Sequence, residues 1–167
     1  MESELLLSIG GLPPLSARGC KQVLSPISVG QFQRTVNGDL VYTGPQAIKK
    51  YHSIISCEDK APLATDGLHR GTQIQVSCIQ QLWQKISDDT TNITLDKMPI
   101  PSSVVVYGKN HKPLEHTLDG QTITVVSFEE ATYVCYRPIL EMRVISYQLS
   151  TNEWGVKVGW SLELEEI

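Results

Sequence analysis

The sequence has little of what membranes, nucleic acids or catalysis ordinarily require. No apolar run approaches the roughly 20 residues that cross a bilayer as a helix, so no membrane-spanning segment is expected. Basic residues are few, 14 Lys and Arg against 18 Asp and Glu, and the formal net charge is −4. A phosphate-neutralising surface needs a local excess of Lys and Arg. The nearest cluster is the single pair Lys49-Lys50, which reads as a solvated loop, so nucleic acid is not an expected partner. Charged residues make up 19% and hydrophobic residues 41%, which excludes the disordered class.

Motifs of known chemistry are also missing. Gly10-Gly11 lacks the spaced glycines and following Lys-Ser or Lys-Thr of a phosphate loop, and no Gly-x-Ser-x-Gly elbow occurs. Cys20, Cys57, Cys78 and Cys135 are widely spaced with no Cys-x-x-Cys pair, so they read as reduced thiols in the interior. Cys57 and Cys78 each end a strand, and they are the pair to watch for a disulfide. Asn92-Ile93-Thr94 fits a glycosylation acceptor but means little without a secretory leader. The acidic start Met1-Glu2-Ser3-Glu4, followed by an apolar stretch cut short at Gly10-Gly11, does not read as such a leader. Folding in a cytoplasm is therefore expected.

Four histidines remain as candidates. His52 and Cys57 are five apart on one strand and face opposite sides. His69 shares a loop with Asp59 and Asp66, a possible hydrolase pair, although a polar loop explains the same residues without catalysis. His111 and His116 flank a short loop and offer too few ligands for a metal centre. Glu163, Glu165 and Glu166 read as the solvent face of a last strand, where charge discourages edge-to-edge aggregation, better than as a calcium cluster. No catalytic residue, cofactor or metal is expected.

What is present is β-patterning. Residues 1–20 form an irregular arm, because Gly10-Gly11, Pro13-Pro14 and Gly19 interrupt regular structure. The arm carries Leu5, Leu6, Leu7, Ile9, Leu12 and Leu15, too much apolar surface to leave in water. A neighbouring subunit is the favoured cover and the chain's own domain the other. A single β-rich domain is expected over 21–167. Asn37-Gly38 between β-formers predicts a tight type I′ hairpin. Gln46–Lys50 reads as a helical turn and 51–57 as a strand. Residues 59–71 read as a long loop, and Ile74, Val76 and Cys78 as one face of a half-buried strand. Residues 79–86 fit either a short helix or a continued strand, and 88–92 a turn. Strands are expected at 104–107, 122–126 and 132–136, with a loop over 108–120.

The strongest signal closes the chain. Trp154, Val156, Val158, Trp160, Leu162 and Leu164 alternate with Gly155, Lys157, Gly159, Ser161, Glu163 and Glu165. With the β-formers Ile139–Leu149 they predict a long hairpin whose apolar face, both tryptophans included, lies in the core or a subunit interface. The spacing predicts a mainly β, antiparallel sandwich or barrel-like domain with at most short helices.

Two groups of residues carry a resemblance. The first runs Arg34-Thr35-Val36-Asn37-Gly38, Lys50-Tyr51, Ile55-Ser56-Cys57, Asp66-Gly67-Leu68 with Gly71, then Val76-Ser77-Cys78. The second is Tyr136-Arg137-Pro138, Glu153-Trp154-Gly155 and Trp160 to Glu166. Over most of 15–167 the chain resembles small minor tail proteins of tailed bacteriophages. The resemblance implies a non-enzymatic virion component, made in the host cytoplasm and placed at the tail tip or baseplate. Its implied partners are other tail proteins and copies of itself in a ring. A decoration or receptor- or carbohydrate-binding module, working through loops 58–71 and 108–120, is the alternative. A small hydrolase using His69 and a loop carboxylate is the third reading.

Overall fold

The computed structural model describes residues 3–87, 91–127 and 131–167, and among these residues sixteen strands and one 3-10 turn (Pro101–Ser103) form. All pairings are antiparallel. The main sheet runs β1 (Leu6–Leu7), β6 (Gln73–Ser77), β15 (Pro138–Thr151), β16 (Val158–Glu166), β5 (Tyr51–Asp59), β2 (Lys21–Pro26), with β9 (Met98–Pro99) added beside the start of β15. Its two ends stay unjoined, so the sandwich-like arrangement is not a closed barrel.

Between β6 and β15 the chain makes a second layered unit. One sheet is β11 (Pro113–Leu114), β10 (Val105–Gly108), β14 (Ala131–Tyr136), β7 (Leu82–Lys85). The other is β12 (His116–Asp119), β13 (Thr122–Val125), β8 (Asn92–Thr94). Val106 and Val134 from the first sheet pack with Ile93, Ile123 and Val125 from the second. Of residues 79–86, Leu82–Lys85 form a strand, β7, in a different sheet from β6; Trp83 faces outward at 58% exposure, and Ile86, just past the strand, is buried. Of the expected turn at 88–92, residues 88–90 lie outside the described residues.

The first core lies under the main sheet, built from Ile55, Ile74, Val76, Leu140, Met142, Leu162 and Leu164. No second sheet covers this face. Its lid is the N-terminal arm together with the loop 60–71, which contribute Leu5, Ala17, Leu63 and Leu68. Leu7, Ile9 and Leu12 pack against the same cluster. The chain's own domain therefore covers most of the arm's apolar residues, against the favoured intersubunit expectation; Leu6 and Leu15 stay outward at 65% and 46% exposure. A division at residue 20 does not follow the packing.

The arm escapes the backbone problem posed by its glycines and prolines by borrowing ladders. Leu6 and Leu7 pair with Ser77 and Val76, and Gly11 bridges Ala64. Gly10 has φ +75°, and a Cβ there would stand 2.7 Å from the Ala64 carbonyl oxygen, so only glycine allows this approach.

Two local expectations change. The hairpin β3 (Gln31–Arg34) to β4 (Leu40–Thr43) turns through a type I turn closed by Gly38 in the left-handed region, with Gly38 N donating to Thr35 O at 2.9 Å. Asn37 stays at negative φ, so the type I′ form does not occur. Gln46–Lys50 is no helix: Ala47 sits at φ +63° in a simple turn.

Candidate interaction surface

The closing hairpin carries the surface. Its inner rows run Tyr147–Leu162–Ile55–Gln22 and Leu149–Trp160–Cys57 across β15, β16, β5 and β2. Trp160, Leu162 and Leu164 are buried. The arm ends its cover at Trp160, where the indole reaches Ser16. Beyond that line the hairpin projects. Tyr147 is 38% and Leu149 49% exposed, Val158 is half-buried, and Trp154 and Val156 stand open at 87% and 75%. The expectation that Trp154 and Val156 lie in the core is thus corrected. Alternation sets the side of the sheet a residue faces, while burial also needs a neighbouring layer, and none reaches the hairpin tip.

A second projection starts at the other end of β5. From residue 28 to residue 50 every residue is exposed. Phe32 (71%), Val36, Leu40, Val41 and Tyr42 are apolar and open, and β3 and β4 pair with each other alone among the described strands. The Phe32 and Tyr42 rings meet at 5.2 Å.

On the outer face of the main sheet, Lys21, Ser56, Glu58, Gln148, Ser161 and Gly159 help line a shallow trough of about 400 Å³. Beside it His52 Nε2 lies 2.8 Å from Glu163 Oε1. Hydrogen bonds from His52 and from Ser146 hold the Glu163 carboxyl below its usual range. Glu163 and Glu165 do alternate outward, but Glu166 turns to the Lys97 ammonium and accepts from Tyr51 N at 2.9 Å, half-hidden from solvent.

On the four-stranded sheet, Trp83 and Tyr107 stack at 5.3 Å with an angle of 17°, and Tyr133 is paired with Tyr107 in the ladder. Trp83 and Tyr133 are exposed, so three aromatics share one open face.

The candidate acid–base residues do not assemble. Asp59 gives both carboxylate oxygens to the Arg18 guanidinium, at 2.7 and 3.1 Å, and accepts from the Arg18 and Lys60 backbone N–H groups. The Arg18 bonds hold its carboxyl well below the usual carboxylate range. His69 is exposed and its backbone N–H donates to Thr72 Oγ1. His52 and Cys57 fall on opposite faces of β5. His111 is exposed, and His116 Nδ1 lies 3.2 Å from Leu114 O. Among the described residues no three His, Cys, Asp or Glu side chains converge as metal ligands.

All four cysteines are free. Cys57 and Cys78 are therefore not joined. Cys57 instead neighbours Cys20, one step beyond the Lys21–Ser56 pair. Burial raises the Cys20 thiol to about 12 and the Cys78 thiol to about 11.

No protein-family model, no curated protein and no solved structure matches this chain. Among the described residues, no helix is long and apolar enough to cross a membrane.

Proposed function

We propose that this protein is a structural subunit of a tailed-bacteriophage virion, placed at the tail tip or baseplate, in contact with other tail proteins and with copies of itself. In this reading it is made in the host cytoplasm and performs no chemistry. The observation that supports it is the pair of projecting hairpins, whose tips expose Phe32, Leu40, Trp154 and Val156 far beyond what a monomer's surface needs. Exposed aromatic and aliphatic residues on β-hairpins fit subunit contacts, where such side chains supply most of the binding free energy. Mass spectrometry of purified particles from a phage encoding the chain, with antibody labelling seen by electron microscopy, is the test. The protein is expected in fixed stoichiometry with label at the tail end; particles lacking it would sink the reading.

The aromatic face of Trp83, Tyr107 and Tyr133 favours a second reading, a module that binds a receptor saccharide. Flat rings on a rigid sheet present apolar faces against which the C–H face of a sugar ring packs. Saturation by an oligosaccharide in calorimetry, lost on Trp83→Ala, would support it; no heat from a panel of host surface glycans would rule it out.

A further inference from the structure

Along the far side of β15, β6 covers only Ile139–Arg143, and Val144 bonds to Gly71 and Thr72. From Ile145, the extra residue of a bulge between Val144 and Ser146, to Thr151 the strand has β16 on one side and, among the described residues, no strand on the other. These seven residues contain no charge and no proline. Natural edge strands usually carry such residues, because rows of unpaired N–H and C=O groups recruit another strand; here only the bulge at Ile145 guards the start of the row. The row is available for strand addition.

The same chain supplies what such an edge takes. Hairpin β3–β4 has two unpaired outer edges and open apolar side chains, with Phe32, Leu40 and Tyr42 on one face. Isolated two-stranded hairpins are marginal in water, and this one gains no burial within its own chain. Its polypeptide leaves the main sheet where Pro26 pairs Tyr51, at the start of β5. The β15–β16 tip projects where Val158 pairs Asp59, at the end of β5. Eight steps of about 3.3 Å put those points roughly 26 Å apart, at opposite ends of the sheet. Contact between hairpin and edge therefore suits two copies arranged head to tail.

We propose that hairpin β3–β4 of one copy adds to the Ile145–Thr151 edge of the next, through backbone ladder bonds and packing of Phe32 and Leu40 against Tyr147 and Leu149. The interface is heterologous: each copy offers a hairpin and an edge that do not satisfy each other internally, so the contact propagates until rotation closes a ring. This deepens the reading of the chain as an assembly subunit and rests on it for the biological setting.

Two variants of the full chain test it. The edge variant is Tyr147→Lys with Leu149→Lys; the hairpin variant is Phe32→Lys with Leu40→Lys. Analytical ultracentrifugation and native mass spectrometry should find the parent as a closed oligomer and each variant as a monomer. An equal mixture of the two should give heterodimers and nothing larger, because one intact hairpin then meets one intact edge. That rescue also shows that both variants are folded. In the parent oligomer, amide exchange of Ile145–Thr151 should slow at least tenfold relative to the edge variant. A parent that stays monomeric overturns the proposal. So does a hairpin variant that assembles like the parent, or a mixture that forms no heterodimer. Particles that contain the protein beside a monomeric parent would defeat this contact while leaving the virion reading intact; rings from a protein absent from particles would do the reverse.

Discussion

The indole N–H of Trp160 donates to the carbonyl oxygen of Ser16 across 2.7 Å, joining the last strand to the arm near the chain's start. Both residues are buried, so the bond is sheltered from water, and the ring closes one end of the first core. Trp160→Ala should cost about 3–5 kcal/mol, as large aromatic truncations do. Trp160→Phe keeps most of the apolar area and orphans the Ser16 carbonyl, so about 1–3 kcal/mol is expected. Urea unfolding of both variants measures the difference, and a Trp160→Phe chain as stable as the parent would deny the bond any role.

Deleting residues 2–14 should lower the melting temperature by of the order of 10 °C. Leu5 leaves the core and Leu7, Ile9 and Leu12 leave its margin, at roughly 1.5–3 kcal/mol for each fully buried side chain and less for the others. Gly10→Ala should act in the same direction on a smaller scale, since its Cβ meets the Ala64 carbonyl. Calorimetry checks both, and a truncated chain melting at the parental temperature would show that the arm is dispensable to the fold.

Acid should loosen the arm through Asp59. Its folded-state pKa lies below the unfolded value of about 3.9, so the Arg18–Asp59 pair contributes fully above that value. The contribution is lost as pH falls through the folded value. The melting-temperature gap between parent and Asp59→Asn should stay constant from pH 7 to about 5 and narrow below about pH 4. A gap that widens in acid contradicts the assignment.

Gln22 is a polar group that the interior fully uses. Its Nε2 donates to Ser53 Oγ at 3.1 Å, and its Oε1 accepts from Ile79 N and Gln80 N at 2.9 and 3.1 Å. Gln22→Leu fits the space but strands both backbone donors, so about 2–4 kcal/mol should be lost. The denaturant midpoint should fall with little change in slope.

Trp154→Ala should move stability by less than about 0.5 kcal/mol, because an open side chain at a hairpin tip has no layer to lose. Thermal melting of the monomer provides the check, and a drop as large as that of Trp160→Ala would place Trp154 in the core after all.

Period-two alternation made the strands legible: Ile74, Val76, Leu162 and Leu164 face the core as their spacing predicts, and the closing hairpin exists with the expected partners. What alternation carries is sidedness alone. Trp154 and Trp160 share a face by parity, yet only Trp160 lies where the arm and loop 60–71 form a second layer. The arm's docking rests on long-range pairings, Leu6 with Ser77 and Gly11 with Ala64, that no local pattern encodes. The candidate surface was half visible. Val36, Val41 and Tyr42 read as β-formers, but their exposure, like that of Phe32, follows from the lack of any further described strand beside β3 and β4. The open edge at Ile145–Thr151 is a property of sheet order, invisible until β6 is seen to stop at Arg143.

Residues 79–136 start and finish side by side, where Cys78 N donates to Pro138 O at 3.0 Å beside the β6–β15 ladder, and touch the main sheet again through β9 and Gln22. A segment with adjoining ends is an exchangeable cassette: recombination can replace it, aromatic face included, by another insert or by a short turn while every rung between β6 and β15 is kept. The costs would fall on Gln22, whose buried Oε1 would lose Ile79 N and Gln80 N, on β15, which would lose β9, and on Glu166, which would lose Lys97. A lineage that swapped this cassette would change its aromatic face while the two projecting hairpins stayed the same, so the two surfaces would evolve as separate traits.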